Sequence, residues 1–152
     1  MQELNLPRYQ IAIKNENGKS FILDVIRRKY VALTPEEWVR QHFVHFLIDV
    51  KKVPSSLIAV EKSLRLNRLG KRTDIVVYDN KLQPLLIIEC KAPAIKITQD
   101  TFDQIARYNM TIQADFLVVT NGLDHFSCII DHENQSYSFL ADVPAYDELK
   151  KM

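Results

Sequence analysis

Short apolar runs separated by turn-forming residues dominate the chain and predict β-strands. The predicted strands cover residues 9–13, 21–25, 56–64, 72–78, 85–91, 115–120, 125–131 and 136–140. Apolar positions at helical spacing predict helices over 34–51 and 98–112, with a short last helix over 144–150. This order, ββ-α-βββ-α-βββ-α, predicts an α/β (α+β) fold in which a mixed β-sheet is flanked by helices.

The first predicted helix carries clear start signals. Thr34 is the predicted N-cap, Pro35 takes the first helical position, and Glu37 completes a capping box. At about 100° per residue, Glu36 projects onto the apolar stripe that faces the core, with Arg40 at its margin. Capping accounts for Glu37, so Glu36 is the carboxylate that this pattern predicts to point inward.

Three charged residues end a pair of otherwise apolar strands. Asp74 lies near the start of the predicted hairpin over 72–91, and Glu89 and Lys91 lie at its end. Folding the hairpin brings all three to the same end of the sheet. Because side chains alternate along a strand, Glu89 and Lys91 share one face and Cys90 points to the other.

Burying charge is unfavourable unless the charge is paired or coordinates a metal. The combination of two carboxylates and an ammonium at one edge of a core therefore favours a divalent-cation site. Each part alone has a simpler interpretation. Asp74 alone is typical of a turn or edge residue, and Glu89 with Lys91 is typical of a surface ion pair.

Length and composition indicate one globular domain. The chain has 152 residues, of which 47% are hydrophobic, and only three glycines. No apolar run is long enough to span a bilayer, and the first residues lack the regions of a signal peptide, which predicts a cytoplasmic protein. Cys90 and Cys128 have no zinc-type spacing and are expected to act as small core hydrophobes.

Basic residues cluster locally although the net charge is only +1. The cluster directly before and within the Asp74 strand consists of Lys62, Arg65, Arg68, Lys71 and Arg72. A basic patch beside an acidic site suits a phosphate backbone. A solvated loop would show the same composition.

Five short motifs, in order, resemble a known family of proteins. They cover residues 34–41, 72–78, 88–93, 104–108 and 119–122. The Asp74, Glu89 and Lys91 pattern resembles the PD-(D/E)xK nuclease superfamily. The full set is similar to the N-terminal nuclease domain of type I restriction enzyme R subunits, including the RecB-like motif of Gln104 and Tyr108. This resemblance implies a restriction-endonuclease-like fold.

The resemblance covers roughly residues 30–125. We therefore expect a single nuclease-like domain with an N-terminal hairpin extension over 1–29, a nuclease core over 30–125, and a closing hairpin and tail over 126–152. Two departures stand out. Thr73 replaces the proline of the superfamily name, and no phosphate-binding glycine loop of an ATP-driven motor follows. A free-standing relative of the family and a domain cut out of a longer R subunit are both consistent with a chain that lacks the motor.

The resemblance implies Mg²⁺-dependent phosphodiester hydrolysis, with Mn²⁺ as a substitute. The implied metal ligands are Asp74, Glu89, the backbone carbonyl of Cys90 and, less directly, Glu36. Lys91 would position the attacking water and steady the developing charge. The residues expected to contact the nucleic-acid backbone or to orient the site are Gln104, Tyr108, Arg72, Lys71 and Arg68.

Three functions remain open at this point. The first is a DNA nuclease, alone or within a larger restriction or repair complex, with no membrane partner. The second is a non-catalytic nuclease-fold module that binds DNA or a partner protein. The third is a metal-dependent hydrolase of small phosphoesters. The pattern does not predict the oligomeric state, the sequence specificity, or endonuclease over exonuclease action.

Overall fold

The structure is a computed structural model that describes residues 2–63 and 72–151. A short 3-10 helix, Ser55–Leu57, precedes the fourth strand. The strands and α-helices of the described residues are β1 Ile13–Glu16, β2 Lys19–Asp24, β3 Lys29–Ala32, α1 Pro35–Asp49, β4 Ile58–Ser63, β5 Arg72–Tyr78, β6 Pro84–Cys90, α2 Gln99–Asn109, β7 Phe116–Thr120, β8 His125–Asp131, β9 Ser136–Leu140 and α3 Tyr146–Lys151.

The strands form two sheets. The larger sheet has six strands in the order β4-β5-β6-β7-β8-β9, and the smaller one has the order β1-β2-β3. In the larger sheet β6 and β7 are parallel, and the other neighbouring strands are antiparallel. A helix connects the parallel pair, as such a crossover requires. The predicted mixed sheet with flanking helices is confirmed, and its arrangement fits a restriction-endonuclease-like fold.

The N-terminal hairpin is confirmed, but its first strand covers Ile13–Glu16 rather than the predicted 9–13. The hairpin belongs to a separate three-stranded sheet. Asn17 and Gly18 connect β1 to β2 with positive φ angles of 52° and 75°, the geometry of a tight type I′ turn. The prediction of only two strands in this region was wrong, because β3 pairs with β2. The third strand is short, mostly exposed and begins with Lys29, so it lacks the apolar alternation that marks a strand.

Helices α1 and α2 cover opposite faces of the six-stranded sheet. Val39, Phe43 and Leu47 of α1 are fully buried in one core cluster, which also holds Ile88 and Cys90 of β6. A second cluster, on the face of α2, holds Phe102 and Ala106 of α2 together with Ile87 and Leu117. The alternation along β6 therefore directs Glu89 to the α2 face. This sheet positions the candidate site at one end of β5 and β6.

Both cysteines are free and buried in this core, as expected for small hydrophobes. Burial raises the pKa of the Cys128 thiol to about 12. Among residues 2–63 and 72–151, no helix is both long and apolar enough to cross a bilayer.

Gly122 occupies a close contact just after β7. Its φ is +86°, and a Cβ at this position would lie 2.7 Å from Leu4 Cδ2 and 3.1 Å from Val39 Cγ2. We expect Gly122→Ala to lower the free energy of unfolding by about 2–4 kcal/mol, from left-handed strain plus overpacking. Gly18→Ala is the matched control, because φ is +75° there and no atom lies within 4 Å. Urea denaturation measures both. Equal losses in the two variants would contradict the packing role of Gly122.

Candidate functional site

The β5–β6 hairpin brings the two predicted acidic ligands to the same end of the sheet. Ile75 pairs with Ile88, and Asp74 and Glu89 are the next residues beyond that pair. Glu89 lines a cleft beside α2, whereas the Asp74 carboxylate is bonded to Arg40 of α1. Asp74 is 8% exposed and Glu89 7%. Both acids are therefore buried at the end of the hairpin to which the sequence assigned them, and a metal ion shared between them stays a prediction.

Both oxygens of Asp74 are held by hydrogen bonds. The backbone N–H of Cys90 donates to Oδ2 over 2.7 Å, and Nη2 of Arg40 donates to Oδ1 over 2.7 Å. An ionised carboxylate has about four lone-pair sites, so two bonds leave acceptor capacity on Asp74. The side chain is thus fixed in place without being saturated.

Lys91 follows β6 and lies beside Glu89. Its backbone N–H donates to the carbonyl of Thr120 over 2.8 Å, which fixes the start of the loop after β6. Its Nζ lies 3.6 Å from Glu89 Oε1, and its side chain is 29% exposed. The ammonium can therefore reach solvent while it stays next to the buried acid.

A cleft of about 300 Å³ connects this end of the sheet with α2. Its lining residues are Glu89, Lys91, Thr101, Gln104, Ile105, Tyr108 and Asn109. Gln104 is exposed and Tyr108 is partly buried. The predicted pair on α2 thus shares one cleft with Glu89 and Lys91, as expected from their position on a common helix stripe.

The helical pattern predicted that Glu36 points toward the core, but the structure buries Glu37 instead. Thr34 is the N-cap, and its Oγ1 accepts a hydrogen bond from the N–H of Glu37. However, the Glu37 side chain is buried, with only 8% exposure, whereas that of Glu36 is 47% exposed. The carboxylate of Glu37 accepts hydrogen bonds from Arg40 and Gln41. Hydrogen bonds from Arg40 and Gln41 of the same helix therefore hold the Glu37 carboxylate in its buried position.

Glu36 nevertheless faces the site from its margin. Burial and the negative charge of Asp74 raise the pKa of the Glu36 carboxyl, while Arg40 and Lys91 lower it. The Glu36 carboxylate lies 3.2 Å from Nη2 of Arg40, the same nitrogen that bonds to Asp74. It is half-exposed at the mouth of the site rather than directed into the core, so its predicted role through a metal-bound water remains a prediction.

Arg40 is the central cation of an acidic cluster that the sequence did not predict. Its guanidinium contacts four carboxylates: Glu37 at 2.5 Å, Asp74 at 2.7 Å, Glu61 at 3.1 Å and Glu36 at 3.2 Å. Burial lowers the pKa of Arg40, but the hydrogen bond and charge of Asp74 outweigh that effect and raise it overall. Arg40 therefore remains charged inside the cluster.

Glu61 of β4 is a further acid beside Asp74. In the β4–β5 register Val60 pairs with Ile75 and Lys62 with Thr73, which sets Glu61 level with Asp74. Glu61 has a φ of 53°, a strained conformation for a non-glycine residue and one that often occurs near functional sites. Its carboxylate contacts Arg40 and, more distantly, Arg27 at 3.9 Å.

One local signal could have revealed part of this cluster. Glu36 and Glu37 lie four and three residues before Arg40, the spacings at which opposite charges meet on a helix. Nothing in the sequence indicates that Arg40 also reaches Asp74, which is 34 residues away. Arg27 contacts Glu37 from the loop after β2, and no local pattern predicts that contact.

The basic residues before Asp74 are only partly described. Arg72 is 67% exposed, and its Nη1 lies 3.7 Å from Glu61 Oε2. It is therefore accessible to a phosphate, although the contact that the structure shows is with a carboxylate. Arg68 and Lys71 lie outside the described residues, so their predicted phosphate contacts stay predictions.

The donor set suits a hard divalent cation. In the described part of the chain, no group of three or more His, Cys, Asp or Glu side chains is arranged to hold a metal ion. Carboxylates and a backbone carbonyl are nevertheless the ligand types that suit Mg²⁺, because Mg²⁺ prefers oxygen ligands and keeps several waters. The residue types present fit such an ion, and the Arg40 guanidinium bonded to Asp74 is a positive charge beside them.

Comparison with known proteins points to one family. The sequence profile of the type I restriction enzyme R protein N terminus (HSDR_N) matches residues 35–144. The match begins at α1 and extends past β9, so it includes Asp74, Glu89, Lys91 and the cleft beside α2. No protein with curated annotation matches the chain significantly.

Proposed function

The chain belongs to the family of type I restriction enzyme R protein N termini, and from this premise we propose that it is a Mg²⁺-dependent nuclease module that hydrolyses DNA phosphodiester bonds. The observation that supports the proposal is that the β5–β6 hairpin ends in the buried acids Asp74 and Glu89, with Lys91 3.6 Å from Glu89. Glu89 and Lys91 line an accessible cleft, and with Asp74 they would supply the charges for metal-assisted hydrolysis.

Asp74, Glu89 and the backbone carbonyl of Cys90 would hold the ion. The N–H and C=O of a residue in an extended strand point to the same side. The N–H of Cys90 points to Asp74, so its carbonyl is expected on that side as well. Glu36 would join through water from the mouth of the site. When bound, the ion polarises a phosphoryl oxygen and makes a bound water more acidic.

Lys91 would act on the attacking water and on the phosphoryl oxygens. A lysine ammonium is a compact charge with three donors. From its place beside Glu89 it can hold a water with one N–H and approach a phosphoryl oxygen with another. It would stabilise the negative charge that develops on the phosphoryl group during hydrolysis.

The cleft beside α2 would guide the DNA backbone to the acids. Gln104 can donate to a phosphate oxygen, and Tyr108 lines the same cleft. Arg72, together with Arg68 and Lys71, would supply phosphate-binding charge before β5. The family description concerns one protein of a restriction enzyme, so we also propose a larger restriction complex as the partner. Mn²⁺ should replace Mg²⁺.

One observation favours the non-catalytic alternative. The 2.7 Å ion pair between Arg40 and Asp74 compensates the buried carboxylate in the absence of any metal. A chain that used this fold only to bind DNA or a partner protein would be stable with such a pair. The alternative predicts salt-sensitive DNA binding without metal dependence and without products.

Cleavage of supercoiled plasmid by the full chain tests the proposal. We expect nicked and linear products with Mg²⁺ or Mn²⁺, and none when EDTA removes the ion. Products formed equally well in EDTA would contradict a metal-dependent mechanism. DNA retention in a gel-shift assay with no products under any metal condition would favour the non-catalytic module.

A further inference from the structure

We propose that Arg40 is an internal counterion that competes with the divalent cation for Asp74 and thereby sets how tightly the site holds that cation. The inference rests on the proposed metal site, but it assigns a separate role to a residue of α1. It starts from the position of a single guanidinium among four carboxylates.

Arg40 is deeply placed and directly bonded to the key acid. Its side chain is 6% exposed, and Nη2 donates to Asp74 Oδ1 over 2.7 Å. A bound cation would also be stabilised by this carboxylate. Two positive charges that share a buried carboxylate repel each other strongly, because the local dielectric constant is far below that of water. Binding of the ion must therefore weaken the Arg40–Asp74 pair, and the pair must weaken binding of the ion by the same factor.

The cluster gives Arg40 other partners when it leaves Asp74. Glu37 lies 2.5 Å from Nη1, and Glu61 lies 3.1 Å from Nη2. A small movement toward these two acids would keep the guanidinium paired within the cluster. The large penalty of an unpaired buried charge is then avoided. Exchange of partners is thus accessible without unfolding α1.

One hydrogen-bond donor of the Arg40 guanidinium also has no partner among the described residues. Within the described residues, its Nε is buried and has no hydrogen-bond partner. Buried donors are normally bonded, so an unsatisfied one calls for an explanation. A guanidinium that exchanges between Asp74 and the other acids explains why this position does not satisfy all of its donors.

Calorimetric titration with Ca²⁺ tests the inference independently of cleavage. Arg40→Gln removes the competing charge and leaves all the carboxylates, so we expect the Kd for Ca²⁺ to fall roughly tenfold. Arg40→Lys keeps the charge and should stay close to wild type. Arg72→Gln is the matched control, because it removes an arginine that also contacts Glu61 but is 67% exposed. Its Kd should change much less.

An equal shift in Arg72→Gln would assign the effect to net charge and overturn the inference. An unchanged or larger Kd in Arg40→Gln would overturn it as well. If Arg40→Gln does not fold, Glu61→Gln provides the second test. Loss of Glu61 strengthens the hold of Arg40 on Asp74, so the Kd should rise, and an unchanged or smaller Kd would contradict the competition.

The same titration separates this inference from the proposed function. Asp74→Asn should lose Ca²⁺ binding whatever Arg40 does. If wild type binds no Ca²⁺, or Asp74→Asn binds it as tightly as wild type, the proposed metal site is wrong. If Asp74→Asn loses binding while Arg40→Gln and wild type have the same Kd, the metal site stands and only the role of Arg40 is rejected.

Discussion

Replacement of Asp74 by Asn is expected to reduce Mg²⁺-dependent DNA cleavage to less than about a thousandth of the wild-type rate, a barrier increase of about 4 kcal/mol. The amide is neutral and is a much weaker ligand for a hard cation than a carboxylate. Its carbonyl oxygen can still accept the hydrogen bond from the Cys90 N–H, whereas its NH2 group cannot accept the bond that Arg40 donates to Asp74. Initial rates of plasmid nicking measure the loss.

The matched control for this variant is Asp147→Asn on α3. The Asp147 side chain is 83% exposed, and its only ion pair within the described residues is with Lys150. The control should cleave at the wild-type rate. A near-wild-type rate in Asp74→Asn, with both proteins folded by circular dichroism, would remove Asp74 from the mechanism.

Lys91→Ala is expected to reduce cleavage by about 10²- to 10³-fold, the usual effect of losing one donor that stabilises transition-state charge. Unlike the Asp74 variant, it should bind Ca²⁺ at least as tightly as wild type, because a positive charge 3.6 Å from Glu89 has been removed. Single-turnover cleavage and calorimetry together distinguish the two roles.

Lys96→Ala is the control for Lys91→Ala. Lys96 belongs to the segment between β6 and α2 and is exposed, so its loss should leave both cleavage and Ca²⁺ affinity near wild type. Persistent cleavage in Lys91→Ala would reject the role assigned to the ammonium. Loss of Ca²⁺ binding in the same variant would instead indicate that Lys91 organises the ligands.

Most strands of the larger sheet were predictable because they depend on local patterns. Apolar runs bounded by turn residues identified β5, β6 and β7, and the predicted bounds of β8 and β9 agree with the structure. The strand β3 was not predicted, because four mostly exposed residues with a lysine at their start carry no period-two pattern. Pairing with β2, rather than composition, makes this segment a strand.

The site was predictable only in part, for a physical reason. A hairpin brings its own two ends together, so the position of Asp74 and Glu89 at the same end of the sheet follows from local structure. The charges around Asp74 come from separate elements, since Arg40 lies on α1 and Glu61 on β4. Their contacts depend on tertiary packing. For the same reason capping rules could not show that Glu37, rather than Glu36, is the buried acid of α1.

The location of a bound ion tests the account most directly. Crystals of the protein soaked in Mn²⁺ and measured at the manganese absorption edge should show one anomalous peak within coordination distance of both Asp74 and Glu89. In that structure Arg40 should have moved from Asp74 toward Glu37 and Glu61. A peak elsewhere, or an undisturbed Arg40–Asp74 pair in crystals that hold no ion between the two acids, would contradict the account.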